Sequence, residues 1–267
     1  MNRKAIIWTV ITTIISVMLI FPTSSSGKDK TPSPNDFAVP NHVLTITKEN
    51  TYSNSSEDQE IVEPSKDTKA FIEELDIPVE NPDLIKMLNE TSVDPTPFSI
   101  GYRGMIYLGR WAINYKSKDT TVNWEYQKVN TNEQNNLGGT NPQKMHYVQK
   151  EQKGVTGALV NKIASPDDVK KMILLDATKE TNLPLSYQTV IGKDTQKDND
   201  YTVPVNKFGT LTAYVPAVID KGQVTFGDVY IQLKGSKKSI EIKNVTKQGI
   251  GAWIPIQDHL AFSFTLN

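Results

Sequence analysis

The sequence predicts one α+β domain built mostly from antiparallel strands in sandwich-like sheets, with two or three short helices. Two patterns favour this class. Apolar and polar residues alternate over much of the chain, as in residues 211–219 and 259–266, which is typical of half-buried strands. Helical spacing of apolar residues is confined to short stretches, and strands that follow one another closely pair mainly antiparallel.

The N-terminus carries an unbroken, uncharged apolar run over residues 5–21, directly after two basic residues. A short basic stretch followed by an apolar core is the pattern of a secretory leader. As a helix the run would span roughly 25 Å, less than the about 30 Å of a bilayer core. Pro22 and several small residues follow, so residues 1–26 are predicted to be a cleaved signal peptide. The run is longer than a usual signal core, which leaves an uncleaved N-terminal membrane anchor as the alternative.

Composition divides the rest of the chain into a linker and a domain. Residues 27–66 are rich in Ser, Thr, Pro, Asn and charged residues, which predicts a flexible linker. Within it, residues 43–46 have the pattern of a short strand added to the domain edge. Residues 67–267 are predicted to form the single α+β domain, and their number is ample for one hydrophobic core.

Cysteine content and charge exclude several classes of protein. The chain has no cysteine, which excludes disulfides, cysteine-ligated zinc and iron–sulfur clusters and fits an exported protein of a Gram-positive surface. The 29 basic and 30 acidic residues nearly balance, so the chain lacks the charge of a nucleic-acid binder. Lys234, Lys237 and Lys238 fit a solvated hairpin tip.

Three stretches predict helices. The first covers residues 67–75. The second begins with Asn81 as N-cap and Pro82 in the first turn. The third begins with Ser165 as N-cap, and Asp168 stands three residues later in an arrangement that resembles a capping box.

Strand patterns surround these helices. Residues 98–102 alternate, and the phase changes at Gly109, which predicts a bulge or tight turn. Residues 130–142 are polar and contain Asn and Gly, which predicts a long loop with a candidate functional role. The turn residues Asp220-Lys221-Gly222 predict the clearest hairpin of the chain, between strands at 211–219 and 224–233. Further strands are predicted at 122–127, 145–149, 155–163, 185–191, 240–243, 250–256 and 259–266.

Four aromatic residues are the first candidates for binding. Exposed aromatic rings with polar tips can stack on glycan rings, although strands favour aromatic residues for packing alone. Trp253 stands in a glycine-flanked segment that predicts a bulge or a close backbone approach. The aromatic candidates are Trp111, Trp124, Tyr126 and Trp253.

Histidines and carboxylates give only weak candidates for chemistry. Asp258 and His259 resemble part of a hydrolytic pair, but adjacent strand residues point to opposite faces. His146 lies on a predicted strand, where a partly buried structural histidine is the alternative to a binding residue. Glu125 and the two histidines are the residues a hydrolase would use, and no catalytic residue is predicted.

A calcium site is the remaining hypothesis for a metal. Asp198 and Asp200 have the oxygen spacing of the first positions of a calcium loop, and Asp194 lies nearby. The glycine and the bidentate glutamate that a helix-loop-helix site requires are missing. These three residues are therefore predicted to lie in a charged, solvated loop with calcium binding as the alternative, and no cofactor is predicted.

Three segments carry a resemblance to a known family. They are residues 81–90 (NPDLIKMLNE), 122–128 (VNWEYQK) and 243–255 (KNVTKQGIGAWIP). Through them the chain resembles the YfkD-like family of Gram-positive bacilli, from about residue 67 to the C-terminus. The resemblance implies an exported or envelope protein. It implies no activity and no catalytic residues, because the family is uncharacterised.

These observations predict an exported cell-envelope protein that is noncatalytic and binds a cell-wall polymer or another envelope protein. Contact with the membrane is expected only through the N-terminal segment, if it stays uncleaved. The alternatives are a secreted hydrolase acting on wall material and a calcium-responsive surface domain.

Overall fold

The computed structural model describes residues 37–54, 61–91, 103–235 and 237–267. The predicted leader and the alternating residues 98–102 lie outside them. The predicted class is confirmed, because named strands pair only antiparallel in the described residues. The helices are α1 Lys66–Glu73, α2 Pro82–Glu90 and α3 Pro166–Thr181. The strands are β1 Val43–Thr45, β2 Arg103–Asn135, β3 Gln143–Val148, β4 Lys153–Thr156, β5 Ala158–Leu159, β6 Gln188–Ile191, β7 Gln196–Val203, β8 Phe208–Lys234, β9 Lys237–Pro255 and β10 His259–Leu266.

Strand β8 is the centre of the large sheet. It pairs with β2 on one side, and on the other side with β10 over its first part and β9 over the rest. Strand β1 lies beyond β10, and β5 lies beyond β9. With 27 residues, β8 spans roughly 90 Å at about 3.3 Å per residue. The sheet is therefore long and narrow.

The hairpin predicted at Asp220-Lys221-Gly222 is wrong, because these residues lie inside β8 and pair on both sides. Asp220 is fully buried among hydroxyl groups, and a Cβ at Gly222 would collide with the Tyr115 ring. Residues that are typical of turns therefore make contacts between strands here. The hairpin tip instead falls where Lys234 pairs with Lys237, as the lysine cluster predicted.

Strand β2 corrects a second prediction. Residues 130–135, predicted as part of a loop, continue the ladder with β8, and only residues 136–142 leave it. The bulge predicted at Gly109 is confirmed, because the register shifts between Tyr107 and Gly109, whose φ is +109°.

All three predicted helices are present, but the third begins differently. Asn81 caps α2 as predicted, since its side chain accepts from the backbone N–H of Asp83 at 2.9 Å. Ser165 instead has φ 46° and makes no capping hydrogen bond through its side chain. The expected capping box is absent because the Asp168 carboxylate accepts from Asn81 Nδ2 at 3.0 Å, which joins the starts of α2 and α3.

The flexible linker predicted over residues 27–66 extends too far, because residues 37–54 pack against the sheet. Ile46 is fully buried, and β1 extends the sheet as predicted. Asn50 Nδ2 donates to Val190 O at 3.0 Å, and Gly192 N donates to Asn50 Oδ1 at 3.0 Å. A few buried apolar residues and the two hydrogen bonds of the Asn50 amide thus hold this polar segment against the domain.

Three hydrophobic clusters line the long sheet, and the covered face changes between them. Along β8 the buried apolar residues that pack into these clusters are odd-numbered from 211 to 215, even-numbered from 218 to 226, and odd-numbered again at Val229, and Ile231 of the same parity is buried too. Successive side chains of a strand point to opposite faces. The two small sheets β3/β7 and β4/β6 therefore cover one face at the base, α3 covers the other face in the middle, and α1 and α2 cover the first face again at the tip.

Within the described ranges, no helix or small sheet packs over two surfaces of the long sheet. We call the side opposite α3 the middle surface; it carries Ile219, Tyr126 and Trp253. We call the side opposite α1 and α2, at the β8–β9 hairpin, the tip surface; it carries Tyr107 and Tyr230. In the part of the chain that the structure describes, no helix has the length and apolar character needed to cross a membrane.

Candidate functional site

Two of the four aromatic candidates meet on the middle surface. The ring centroids of Tyr126 and Trp253 lie 4.9 Å apart with an angle of 35° between the planes. Ala252 and Ile254 point into the core beneath α3, so Trp253 between them points the other way. Both rings are half-buried, which leaves part of each available to a ligand.

The bulge in β2 explains how Tyr126 reaches this position. The register with β8 shifts between Asn123 and Gln127, and a bulge redirects the side chains around it. Trp124 turns to the opposite face and packs against the cluster beneath α3. Trp111 packs against the tip cluster, and its Nε1 donates to Leu108 O at 3.0 Å. The structure thus places Trp111 and Trp124 in packing positions.

An open groove adjoins the aromatic pair. It lies between β5 and the start of α3 and has a volume of about 440 Å³. Ala158 on its wall pairs directly with Trp253, so the groove lies at the β5 edge next to the rings, and its α3 wall stands on the opposite face of the sheet. Two cations lie along it: Lys162 is exposed, and Lys170 is half-buried with its Nζ 5.9 Å from the centre of the Tyr187 ring. The lining residues are Gly157, Ala158, Leu159, Asn161, Lys162, Ile163, Pro166 and Lys170.

The Asp258–His259 pair turns to separate partners. The Asp258 carboxylate accepts from Asn54 Nδ2 at 2.8 Å, whereas His259 Nδ1 lies 2.7 Å from Gln257 O. Asp258 therefore holds residues 37–54 against the rest of the domain. His146 is exposed on β3, contrary to the partly buried position predicted for it. Glu125 is also exposed, between the two aromatic residues of the β2 bulge.

The three calcium candidates fall into two different elements. Asp194 lies in the turn before β7 with φ 64°, whereas Asp198 and Asp200 lie within β7, so the predicted charged loop is mostly a strand. Asp200 pairs with Lys144 at 2.6 Å. Over the described ranges, no three His, Cys, Asp or Glu side chains are arranged to hold a metal. Calcium binding by these residues stays a prediction.

A polar centre that the sequence did not reveal lies beneath α3. Asp220 accepts hydrogen bonds from the hydroxyl of Tyr115, from Ser117 Oγ at 2.9 Å and from Thr120 Oγ1 at 2.8 Å. Thr120 Oγ1 also lies 2.7 Å from Glu180 Oε2. Burial and the neighbouring Asp220 charge raise the pKa of Tyr115, which keeps its phenol protonated as a donor.

Two further carboxylates complete this centre at the outer edge of β2. The backbone of Tyr115 lowers the pKa of the Glu80 carboxyl, and that of Ser117 lowers the pKa of Asp176, so each carboxyl faces a backbone N–H of β2. Burial, together with the charges of Asp220, Glu180 and Glu80, raises the pKa of Asp176 to about 6. An edge strand exposes unpaired N–H groups, and here carboxylates stand opposite two of them.

The signal for this centre is present in the sequence but is easily misinterpreted. Asp220 has the same parity as the core residues Val218 and Val224, which marks it as an inward-facing carboxylate of one continuous strand. Asp176 and Glu180 are four residues apart and therefore share one face of α3. The Asp-Lys-Gly turn signal concealed the first of these patterns.

Known proteins resemble this chain over most of its length. The sequence model of the YfkD-like protein family matches residues 40–267. The chain is 49% identical over 251 residues to "Uncharacterized protein YfkD" of Bacillus subtilis (strain 168), covering 94% of each. Among solved structures, lamprey immune protein aligns with 61% of this chain and 53% of its own chain at 7% identity and a TM-score of 0.23. By the family match and the identity to its Bacillus relative, the chain belongs to the YfkD-like family.

Proposed function

We propose that this protein is an exported, noncatalytic module of the cell envelope that binds a wall polysaccharide through its middle surface. The Tyr126–Trp253 pair, which neighbours an open groove across the β5 edge, is the observation that carries the proposal. Sugar rings stack on aromatic faces because their C–H groups form a flat apolar surface. The two rings are fixed by a strand and a bulge, so little conformational entropy is lost when a ligand binds.

The groove indicates the charge of the ligand. Lys162 and Lys170 are its charged lining residues, and no carboxylate lies among them. Lys170 is partly balanced by Asp167, whose Oδ1 lies 3.6 Å from Lys170 Nζ. A polymer that combines sugar rings with phosphate or carboxylate groups and passes round the β5 edge would contact both the rings and the cations.

Placement outside the cytoplasm rests on the N-terminal apolar run after two basic residues. Protease added to intact protoplasts should degrade the exported domain. Protection of the full-length chain under those conditions would refute export, whatever the ligand.

Retention on purified, insoluble peptidoglycan tests binding. Wild type should sediment with the wall without clearing its turbidity. Tyr126→Ala should weaken binding about fivefold, because a lost aromatic contact is worth on the order of 1 kcal/mol. Tyr107→Ala, at an exposed tyrosine of the tip surface, is the matched control and should bind as wild type does. Equal retention of both variants would refute the aromatic platform.

The alternative function is wall hydrolysis, and one observation favours it. Asp176 has a pKa of about 6 beside other carboxylates, which suits a general acid. However, Asp220 accepts hydrogen bonds from β2 beneath α3 and Asp176 faces the same strand, and the groove lining contains neither. Clearing of a wall suspension by wild type but not by Asp176→Asn would establish the hydrolase and reject the binding module.

A further inference from the structure

The tip of the long sheet carries a row of like charges. Arg103 pairs with Lys234, and Lys234 pairs with Lys237, so the three cations stand side by side across β2, β8 and β9. All three are exposed. Like charges directly opposite each other destabilise a sheet, so folding alone does not account for this row. Such a row is matched by an anionic ligand.

The surrounding sequence strengthens the positive charge. Residues 103–111 and 226–247 contain seven Lys or Arg and two Asp or Glu, a net charge of +5, whereas the whole chain has a net charge of −1. The two acidic residues are engaged locally: Asp228 pairs with Arg110 at 3.1 Å, and Glu241 pairs with Lys243 at 3.4 Å. The cationic row therefore dominates the field at the tip.

Exposed apolar residues lie directly behind this row. Met105 is 45% exposed and Tyr107 55% exposed on the tip surface, where the Tyr107 ring lies 5.0 Å from that of Tyr230. Lys243 Nζ lies 5.4 Å from the centre of the Tyr230 ring. Ile106, which points to the opposite face, is 41% exposed. The described tip is thus apolar on both faces of the sheet and cationic at its end.

This arrangement distinguishes a bilayer from a soluble polymer. A soluble polyanion would contact the cations but offers no apolar surface to Met105. A lipid interface offers phosphates to the cations and apolar carbon to Met105 and Tyr107 when the tip surface lies against it. Tyrosines favour the headgroup level, and cations bind lipid phosphates. Tyr107 lies four positions after Arg103, or roughly 13 Å along the strand, so a tip that lies along the bilayer places both residues at the headgroup level.

We propose that the β8–β9 hairpin and the start of β2 form a docking tip for an anionic lipid bilayer. The tip surface lies against the bilayer, where the cationic row binds the headgroup phosphates and Met105 and Tyr107 enter the interface. The site is separate from the aromatic pair of the middle surface, so a protein bound to wall polymer there could reach the membrane with its tip.

The cysteine-free chain permits a test by single-site labelling. Met105→Cys and Thr121→Cys, each in the full-length chain, would carry an environment-sensitive fluorophore; Thr121 is exposed in the middle region of β2 and serves as the control. Vesicles containing phosphatidylglycerol should shift the emission to the blue at position 105 only, and phosphatidylcholine vesicles should shift neither. Insertion of the N-terminal run would not distinguish the two lipids in this way.

Charge reversal provides the second arm. Lys234→Glu combined with Lys237→Glu should lower partitioning to anionic vesicles at least roughly 30-fold, since each lysine near such a surface contributes about fivefold. Lys116→Glu with Lys118→Glu, at exposed lysines of β2 outside the tip, should change it little. Equal shifts at positions 105 and 121, a shift independent of lipid charge, or a full shift with soluble polyphosphate would each overturn the proposal.

Discussion

The outer edge of β2 is closed in two different ways. In its middle, the carboxylates of Glu80 and Asp176 face the backbone N–H groups of Tyr115 and Ser117. Towards its end, the amide groups of Asn130 and Asn132 donate to Val148 O of β3 at 2.7 Å and 3.0 Å. The first closure is charged and lies beneath a helix, whereas the second is neutral and joins two strands.

The difference between the charged and the neutral closure shows where this fold tolerates buried charge. Carboxylates make strong hydrogen bonds to N–H groups, but several of them together repel and are costly to bury. Amides bind the edge without that cost. We therefore expect the middle of the sheet to depend on pH and the β2–β3 junction to be indifferent to it.

The largest expected effect comes from removing Asp220. Asp220→Ala leaves the hydroxyls of Tyr115, Ser117 and Thr120 without their buried acceptor. We expect the free energy of unfolding to fall by about 3 kcal/mol, after allowance for the relieved repulsion with Asp176. Urea unfolding followed by circular dichroism measures this change.

Asp119→Ala is the matched control, because that aspartate is exposed and lies 3.9 Å from Lys221 in an exposed ion pair. Its cost should stay below about 1 kcal/mol. Equal costs for the two aspartates would mean that the buried centre stabilises the fold no more than a surface ion pair does. The charged closure would then not be a structural feature of the fold.

The second effect is a pH dependence due to Asp176. Its folded pKa of about 6 lies above the ordinary value of 3.8, so the folded state binds this proton more tightly than the unfolded state does. The group therefore destabilises the fold above about pH 6, and this cost disappears as pH falls towards 4. At pH 7.5 Asp176→Asn should be more stable than wild type by on the order of 2 kcal/mol, a value discounted for partial solvent contact.

Comparison of the two proteins across pH isolates this carboxylate from the others. The amide introduced by Asp176→Asn keeps an oxygen acceptor for the Ser117 N–H, so the curves of unfolding free energy should converge near pH 4. A constant difference from pH 4 to pH 7.5 would show that Asp176 does not titrate in this window.

The sequence predicted the fold where patterns are local and missed it where tertiary contacts decide. Asn81 and Pro82 specify the start of α2 by backbone chemistry alone, and the strand at 259–266 follows from simple alternation; the structure confirms both. The hairpin prediction failed at Asp220, because hydroxyl groups from another strand stabilise this buried carboxylate and the local sequence does not show that contact. The covered face also changes along β8, and no local rule shows which layer lies above each part.

The candidate site was predictable to a similar degree. Alternation and composition selected Tyr126 and Trp253 as candidates, but only the β2 bulge brings their rings together. The same bulge places Trp124 in the core. The cationic row of the tip depends on the alignment of β2, β8 and β9. The bulges in β2 set its alignment with β8, and the hairpin sets that of β8 with β9.

The smallest effect concerns the neutral closure, and it tests the comparison most directly. Asn132 imitates a backbone partner, because its Nδ2 donates to Val148 O at 3.0 Å while its Oδ1 accepts from Val148 N at 3.3 Å. Asn132→Ala should cost about 1 kcal/mol at every pH, since no charge is involved. Asn132→Asp should turn the neutral closure into a charged one, because its carboxylate would face the Val148 carbonyl oxygen. Unfolding at pH 4 and pH 7.5 should then show a new loss of stability at the higher pH that wild type lacks at this junction. Equal behaviour of the Ala and Asp variants at both pH values would mean that solvent screens this edge, and the contrast between the two closures would reflect exposure and not charge.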